Sequence, residues 1–411
     1  MSAVPPNQER PSSTLCVFRE IFLTFLKLGC TSFGGPMAHI GYFNQEFVRR
    51  RKWIDETGYI DLLTLCQFLP GPTSSQVGFS LGVLRGNGLL GGFLAWLGFT
   101  LPSALIMLLA AFGYAIFTGD LSDRLLHGLK LVAVAVVANA VWVMVRGLRS
   151  SKMSYPRMAI AFSVLLIILI FGTSLGQIVA LSLGALAGAR FCSDSVLSVA
   201  GALPFPISKR QGTAALLLFA VAFVGPSLLA IFFNEQALAT FASFFHAGSL
   251  VFGGGHVVLP MLQTELVLQG WMPNETFLAG YGLAQAIPGP LFSIAAYLGA
   301  AMTPEPHELA GATIATVGLF LPGLLLVYGL LPFWDGLRES QGLQAAMRGV
   351  TASVVGILAI AFVNSVLLVT VHTWLDGGLA FAGFAALTFW RTPSWAVVLS
   401  LTLCSVFLAS T

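Results

Sequence analysis

Glycine and proline interrupt the apolar sequence at four places, in an order that occurs twice. The first copy carries Phe33-Gly34-Gly35-Pro36 and then Pro70-Gly71-Pro72, and the second carries Phe252-Gly253-Gly254-Gly255 and then Pro288-Gly289-Pro290. A break in a bilayer is tolerated only when it is buried in protein or lines a wet cavity. The N–H groups at the start of a half-helix lie at the positive end of its dipole and can bind an anion. The pattern therefore predicts an anion site where the four breaks converge.

Hydroxyl and amide side chains that can hydrogen-bond an anion flank these breaks, and two pairs of them match between the copies. Gln67 corresponds to Gln285, and Ser75 corresponds to Ser293. The candidate substrate-binding residues are Ser32, Gly34, Gly35, Pro36, Gln67, Pro70, Gly71, Pro72, Ser74, Ser75, Gly253, Gly254, Gly255, Gln285, Pro288, Gly289, Pro290 and Ser293. The alternative interpretation is that the glycines and prolines only permit kinks and close helix packing.

Ionisable side chains within the apolar segments are candidates for charge or proton coupling. An ionisable residue in a bilayer costs about 2.5 to 3.5 kcal/mol or more, which favours a functional role. The candidates are Lys27, His39, Glu46, Lys130, His246, His256, Glu265 and Arg348. Lys27 matches His246, Lys130 matches Arg348, and Glu46 matches Glu265, whereas His39 and His256 flank the glycine breaks at different spacings. Alternatively, Lys130 and Arg348 reach the lipid headgroups, the glutamates mark helix ends, and the histidines are structural.

Other kinds of chemistry have little support in the sequence. The five cysteines have no paired spacing, and the chain has no P-loop, Rossmann glycine pattern or HExxH motif. We therefore predict neither an enzyme nor a bound cofactor or metal. The scarcity of carboxylates within apolar segments favours an anion over a cation as the substrate. The basic run 49–52 beside an apolar segment indicates membrane topology, so no nucleic-acid partner is expected.

The composition places these motifs in a membrane. The chain has 411 residues, of which 56% are hydrophobic and only 9% are charged, and its mean hydropathy is +0.87. In a typical soluble domain roughly a quarter of the residues are charged. The sequence therefore predicts an all-α polytopic membrane protein surrounded by lipid. Ordered matches between the copies, including Trp53 with Trp271 and Pro102 with Pro322, indicate an internal duplication.

The apolar runs have lengths that span a bilayer. The predicted interrupted segments are 15–47, 58–83, 237–268 and 276–302. The predicted continuous spans are 89–117, 125–145, 158–171, 175–191, 212–233, 309–330, 342–369, 375–389 and 395–408. The corresponding domains are a disordered cytoplasmic tail at 1–14, a first repeat at 15–192, a linker at 193–210, and an extra span with the second repeat at 211–411.

The basic residues predict the orientation of the chain. If each interrupted segment is re-entrant or crosses as two short half-helices, the basic run 49–52 and most other lysines and arginines face the cytoplasm. Counting segments 15–47 and 237–268 as full spans would instead place Arg338, Arg348 and Arg391 outside. The first count gives a cytoplasmic N-terminus, a periplasmic C-terminus and a second repeat inverted by the span 212–233. Inverted repeats with interrupted helices recur in secondary transporters.

The duplicated Phe-Gly-Gly-Pro/Gly and Pro-Gly-Pro motifs resemble the chromate ion transporter family in its long, two-domain bacterial form. The resemblance extends from about Leu15 to the C-terminus. It implies an inner-membrane protein that exports chromate with the proton-motive force, confers chromate resistance, and depends on the matched glycines and prolines. The two copies are not equivalent, because Gly255 stands where the first copy has Pro36. Transport of another oxyanion such as sulfate, a non-transporting membrane sensor, and a homodimer remain open.

Overall fold

The computed structural model describes residues 14–116, 120–149, 154–171, 173–193, 205–233, 235–252, 255–303 and 308–408. Within these ranges the chain is almost entirely helical and contains no β-strand. Five helices are long and apolar enough to cross a membrane, and several shorter apolar helices accompany them. The prediction of an all-α polytopic membrane protein is therefore confirmed. The predicted tail lies outside the described residues except for Thr14, and so does most of the predicted linker.

The first half contains two interrupted segments followed by four continuous helices. Its helices are α1 (Thr14–Thr31), α2 (Gly35–Phe43), α3 (Glu56–Phe68), α4 (Thr73–Arg85), α5 (Leu89–Ile116), α6 (Asp120–Arg149), α7 (Ser154–Phe171) and α8 (Thr173–Phe191). A π-helical turn at Asn44–Arg50 extends α2. Both predicted breaks of this half fall between helices, before α2 and before α4.

The second half begins with the extra span and then repeats the same order. Its helices are α9 (Lys209–Phe233), α10 (Gln236–Ser249), α11 (Val258–Leu266), α12 (Asn274–Ala284), α13 (Ile294–Ala301), α14 (Glu308–Leu330), α15 (Trp334–Arg338), α16 (Gln341–Ala361), α17 (Leu368–Thr370), α18 (Trp374–Thr388) and α19 (Ser394–Leu408). Short 3₁₀ turns at Gly255–Val257 and Leu291–Ser293 precede α11 and α13, and a π-helical turn at Phe362–Leu367 joins α16 to α17.

Backbone conformation explains why the helices end at the predicted breaks. Gly34, Gly71 and Gly289 have φ angles of 102°, 119° and 96°. This left-handed region is accessible to glycine at little cost but is unfavourable for residues with a Cβ. The prolines on either side cannot donate a helical hydrogen bond, so each half-helix must end there. The interruptions are thus fixed by local sequence.

Glycines let the long proline-containing helix of each half pack closely on the interrupted segments. In the first half, α5 packs on α1 and α4, and Gly82 of α4 lies directly against Gly91 of α5. In the second half, α14 packs on α10 and α13, and Gly299 of α13 lies directly against Gly311 of α14. Small residues at such interfaces allow backbones to approach closely, as is common between membrane helices. Both halves therefore use the same packing.

The remaining helices are exchanged between the halves. Helix α6 of the first half packs on α18 and α19 of the second, and α16 of the second half packs on α7 and α8 of the first. The closest approach is between Gly349 of α16 and the glycines Gly184 and Gly188 of α8. Each half therefore completes the helix packing of the other.

Candidate functional site

The four interruptions meet at one place, where the two halves exchange backbone hydrogen bonds. The Gly289 N–H donates to the Ser32 carbonyl oxygen at 2.9 Å, and the Gly71 N–H donates to the Val251 carbonyl oxygen at 2.8 Å. Ser32 and Val251 each lie two residues before the first glycine of a glycine break. Each Pro-Gly-Pro break therefore donates a hydrogen bond to the chain just before the glycine break of the other half. This region around Ser32, Gly71, Val251 and Gly289 is called the crossing below. Its reciprocal bonds bring the breaks of the two halves together, and the two hydrogen bonds have an approximate two-fold relation.

Helix α5 closes on the crossing immediately after its internal proline. The Ser103 hydroxyl lies 2.5 Å from the Ser293 hydroxyl, which also donates to the Pro290 carbonyl oxygen at 2.6 Å. A Cβ atom added at Gly289 would lie 2.7 Å from the Ser103 hydroxyl oxygen. The second Pro-Gly-Pro break is therefore held between Ser32 and α5, with no room for a side chain.

Helix α14 occupies the equivalent position on the other side of the crossing. The Gln76 side-chain amide donates to the Pro70 carbonyl oxygen at 2.9 Å and to the Gly323 carbonyl oxygen at 3.1 Å. A Cβ atom added at Gly71 would lie 2.8 Å from the Gly323 Cα, and one added at Gly323 would lie 3.0 Å from the Pro72 Cδ. The first Pro-Gly-Pro break is therefore enclosed as tightly as the second.

The glycine breaks also approach each other. A Cβ atom added at Gly255 would lie 3.3 Å from the Pro36 ring and 3.5 Å from the Leu291 side chain. Gly35, the first residue of α2, has no atom of the described residues within 4 Å of the place where a Cβ would lie. Gly253 and Gly254 are outside the described residues. Glycine at position 255, where the first copy has Pro36, therefore lets the two glycine breaks approach this closely.

His39 joins two of the half-helices at the crossing, whereas His256 contacts a different helix. The buried His39 ring places Nε2 at 3.2 Å from the Ser32 carbonyl oxygen and Nδ1 at 3.4 Å from the Ser74 hydroxyl. His256 Nδ1 lies 2.8 Å from the Tyr281 hydroxyl of α12. Of the two histidines, His39 is therefore the one that touches the crossing.

Several hydrogen-bonding groups at the crossing have no partner within the described residues. Helices α2 and α4 and the turn Leu291–Ser293 begin there without a side-chain cap, so no side chain caps their first N–H groups. The unpartnered buried side-chain atoms include Ser32 Oγ, Ser75 Oγ, Gln76 Oε1 and Gln285 Nε2. Buried polar groups are nearly always hydrogen-bonded, so such a concentration calls for a ligand or water. The N–H groups of Gly71 and Gly289, by contrast, are already used in joining the halves.

Gln67 and Arg348 lie apart from the crossing and line a separate cavity of about 240 Å³. Gln67 is exposed at the last turn of α3, whereas its match Gln285 is buried, and the Gln285 carbonyl oxygen accepts a hydrogen bond from the Ser394 hydroxyl at 3.0 Å. The sequence match between these glutamines therefore does not give them equal surroundings.

The matched bases Lys27 and His246 are also outside the crossing. His246 Nε2 lies 2.8 Å from the Phe223 carbonyl oxygen of α9, the extra span, which packs on α10. Lys27 is exposed on α1. Lys130 of α6 donates to the exposed Glu275 carboxylate at 3.3 Å. Within the described residues, the hydrogen bonds of His246 and Lys130 do not reach the interruptions.

The matched glutamates lie at helix ends. Glu46 in the π-helical turn accepts from Arg51 at 2.6 Å and from Arg50 at 3.0 Å, and Arg51 also pairs with Glu20 of α1 at 2.6 Å. Glu265 lies at the end of α11, where Gln269 donates to it at 3.3 Å. Their positions favour the helix-end interpretation over a role at the crossing.

Comparison with known proteins adds the family to this geometry. The profile described as Chromate transporter matches residues 19–189 and 237–406, once for each half. The chain belongs to the chromate transporter family. It is a family of transporters and not of enzymes, and the resemblance noted from the motifs is confirmed. No solved structure matches the chain significantly.

Curated relatives of this transporter match it over most of their length. A chromate transport protein of Pseudomonas aeruginosa is 30% identical, over 87% of this chain and 81% of the relative. A probable chromate transport protein of Synechococcus elongatus is 28% identical, over 84% of each chain. A chromate transport protein of Cupriavidus metallidurans is 25% identical, over 84% of this chain and 81% of the relative.

The transporter also has polar residues at the crossing that the motifs did not single out. Gln76 and Ser103 follow the first Pro-Gly-Pro break and the α5 proline, respectively, and both contact the opposite half. The match of Pro102 with Pro322 is the sequence feature that could have indicated these residues, because the two prolines mark where α5 and α14 reach the breaks. Among the described residues, no group of three or more His, Cys, Asp or Glu side chains could hold a metal ion.

Proposed function

We propose that this transporter exports chromate from the cytoplasm across the inner membrane, driven by the proton-motive force, and so confers chromate resistance. The observation that carries the proposal is the crossing, where uncapped half-helices and unpartnered buried polar groups of both halves converge. Chromate is a tetrahedral dianion, which backbone N–H groups and hydroxyls can hold at a helix start. The names of the relatives point to the same substrate.

The membrane potential favours this direction. Moving two negative charges out of an inside-negative cell releases about 4.6 kcal/mol per 100 mV, which is twice the value for one charge. Inward movement of protons would add to this driving force. Among the ionisable candidates in the described residues, His39 is the one that hydrogen-bonds to Ser32 of the crossing, so we propose it as the residue that couples protonation to substrate binding.

Alternating access about the crossing supplies the transport step. We propose that the N-terminus is cytoplasmic, that the C-terminus is periplasmic, and that α9 inverts the second half relative to the first. The two-fold relation of the hydrogen bonds at Gly71 and Gly289 supports such inverted repeats. The halves would rock about these two bonds while α5 and α14 bend at Pro102 and Pro322.

Sulfate is the second candidate substrate, because it is also a tetrahedral dianion and asks for the same donors. Flux of labelled chromate and sulfate into inside-out proteoliposomes, with imposed voltage and pH gradients, tests the proposal. We expect chromate uptake that increases with an interior-positive voltage and with outward proton movement. Sulfate uptake that exceeds chromate uptake at equal concentration would favour the alternative, and the absence of flux of either anion would contradict transport.

Replacing Ser75 by alanine should weaken chromate transport without destabilising the protein. The Ser75 hydroxyl is buried but has no partner in the described residues, so its removal breaks no internal hydrogen bond. Loss of one hydrogen bond to a charged ligand is expected to raise the KM for chromate by roughly tenfold. The measurement is chromate flux in proteoliposomes together with the thermal unfolding midpoint.

Ser80 provides the matched control in the same helix. Its hydroxyl is buried and donates to the Gln76 carbonyl oxygen at 2.8 Å. Ser80→Ala should therefore lower the unfolding midpoint slightly and leave the KM near the wild-type value. An unchanged KM in Ser75→Ala would remove Ser75 from the proposed site.

A further inference from the structure

A cavity of about 240 Å³, separate from the crossing but next to helix α3, is lined by three arginines, two glutamines and several apolar side chains. Arg157 of α7 comes from the first half, and Arg338 of α15 and Arg348 of α16 come from the second. Gln67 and Asp61 of α3 complete the polar lining together with Gln344, Thr64 and Thr351. One water occupies about 30 Å³ in the liquid, so the cavity has room for a tetrahedral oxyanion and several waters.

The hydrogen-bond partners of Arg348 are neutral. Arg348 donates to the Cys192 carbonyl oxygen at 3.0 Å and to the Gln344 amide oxygen at 3.4 Å. Burial raises the pKa of the Cys192 thiol although Arg157 and Arg348 beside it act in the opposite direction, so the thiol is neutral at pH 7. Arg348 therefore has no anionic partner among these contacts.

Asp61 is the one acidic side chain in the lining. It is 1% exposed, accepts from the Trp334 indole N–H at 3.0 Å, and pairs with Arg338 at 3.2 Å. Asp335 also pairs with Arg338, at 3.0 Å, from outside the lining. Three arginines and one aspartate give the lining a formal charge of +2, and counting Asp335 as well lowers the local sum to +1.

The cavity adjoins the crossing along α3. Gln67 and Phe68 at the last turn of α3 line the cavity, and Pro70-Gly71-Pro72 follows them in the chain. The wall of the cavity formed by Gln67 and Phe68 is therefore adjacent in the chain to the first Pro-Gly-Pro break. The basic lining is thus placed where an anion would approach the proposed binding site.

The two-fold related region of the other half is neutralised. Lys130, which matches Arg348, pairs with Glu275 at 3.3 Å. Asp376 lies in the first turn of α18, as Arg157 does in α7, and it pairs with His127 of α6 at 2.7 Å. Among the described residues, the excess of positive charge is therefore present on one side of the crossing and absent from its counterpart.

We propose that this cavity is an oxyanion-capture site, in which Arg157, Arg338 and Arg348 hold a tetrahedral dianion before it passes to the crossing. Rows of basic residues in a low-dielectric cleft concentrate anions and speed their entry. The capture site deepens the proposed function and rests on it for its place in transport. Since the counterpart region lacks the basic excess, capture is confined to one mouth, which is the cytoplasmic one in the proposed orientation.

Arg348→Gln tests the capture site in two assays. In the first, calorimetric titration of the purified protein with sodium chromate or sodium sulfate measures equilibrium binding. In the second, chromate uptake by inside-out proteoliposomes measures the KM from the cytoplasmic face. We expect Arg348→Gln to raise both the Kd and the KM at least about tenfold, as for a lost hydrogen bond to a charged group. Arg348→Lys keeps the charge and should fall between Arg348→Gln and wild type.

Controls separate the cavity from general effects of charge and folding. Arg146→Gln removes one positive charge from an exposed side chain at the end of α6, outside the cavity, and should leave the Kd and KM within about twofold of wild type, because surface charges are screened. Arg157→Gln leaves both Arg348 hydrogen bonds in place and should raise the Kd as Arg348→Gln does. All variants are compared as monodisperse protein at equal amounts.

Nitrate, with a single charge, should bind more weakly than sulfate.

The outcomes distinguish this inference from the proposed function. Wild-type Kd and KM values in both Arg348→Gln and Arg157→Gln would contradict the capture site while leaving transport intact. An equal loss of binding in Arg146→Gln would also contradict it, because the effect would not belong to the cavity. Arginine-dependent chromate binding by a protein that moves no chromate would support the cavity and overturn the proposed transport.

Discussion

Replacing Gly289 by valine is expected to reduce chromate flux more than about tenfold while the protein still inserts into the membrane. Gly289 has a φ of 96°, which is unfavourable for valine, and a Cβ there would lie 2.7 Å from the Ser103 hydroxyl oxygen and 3.3 Å from the Gly29 carbonyl oxygen. The break must shift to relieve these contacts, and its hydrogen bond to Ser32 is then lost. Flux in proteoliposomes at matched protein amounts measures the effect.

The two-fold relation predicts the same loss for the other half. Gly71→Val places a Cβ 2.8 Å from the Gly323 Cα at a φ of 119°. Gly270 is the matched control, because its φ is 76° but no atom of the described residues lies within 4 Å of the Cβ position. Gly270→Val carries a comparable backbone cost, about 1–2 kcal/mol, without touching the crossing. Equal flux losses in all three variants would show that backbone strain, and not the crossing, is responsible.

Replacing Asp61 by alanine should give the largest loss of stability, about 3 kcal/mol in the free energy of unfolding. Asp61 is 1% exposed and accepts hydrogen bonds from Trp334 and Arg338. Its removal leaves a buried indole N–H unpaired and Arg338 without its buried counter-charge. The value is at the lower end for broken buried pairs because Arg338 keeps Asp335 at 3.0 Å. Denaturant-induced unfolding of the purified protein in micelles measures it.

A double-mutant cycle with Arg338→Met identifies the cause. The double variant should be destabilised by less than the sum of the single variants, since removing both charges leaves neither unpaired. Asp335→Ala, at a side chain that is 64% exposed, should change the free energy of unfolding by less than about 1 kcal/mol. Additive effects of Asp61→Ala and Arg338→Met would contradict a direct energetic coupling between the two residues.

The helices and their interruptions could be read from sequence because their causes are local. The predicted spans 89–117 and 175–191 correspond to helices at Leu89–Ile116 and Thr173–Phe191. Apolar length sets where a helix can cross, and glycine or proline sets where it must stop. The convergence of the four breaks was also predicted, because freed backbone groups in a membrane must find partners in protein.

The side-chain partners at the crossing and in the cavity depend on contacts between distant residues, which sequence matches do not show. Gln67 and Gln285 match in sequence, yet one faces a basic cavity and the other is buried. Lys27 is exposed, whereas its match His246 contacts α9, a helix present in the second half without a counterpart in the described first half. Two residues that match between the repeats are expected to have the same neighbours only where the helices around them are duplicated as well.

The exchange of α6 and α16 makes the two repeats mutually dependent for assembly. Helix α6 finds its neighbours α18 and α19 near the end of the chain, and α16 finds α7 and α8 before the linker. A polypeptide with only one repeat would expose the faces that these helices cover. Two such polypeptides from separate genes would have to associate, with one helix of each packing on the other. In the fused chain both halves are always made in equal number.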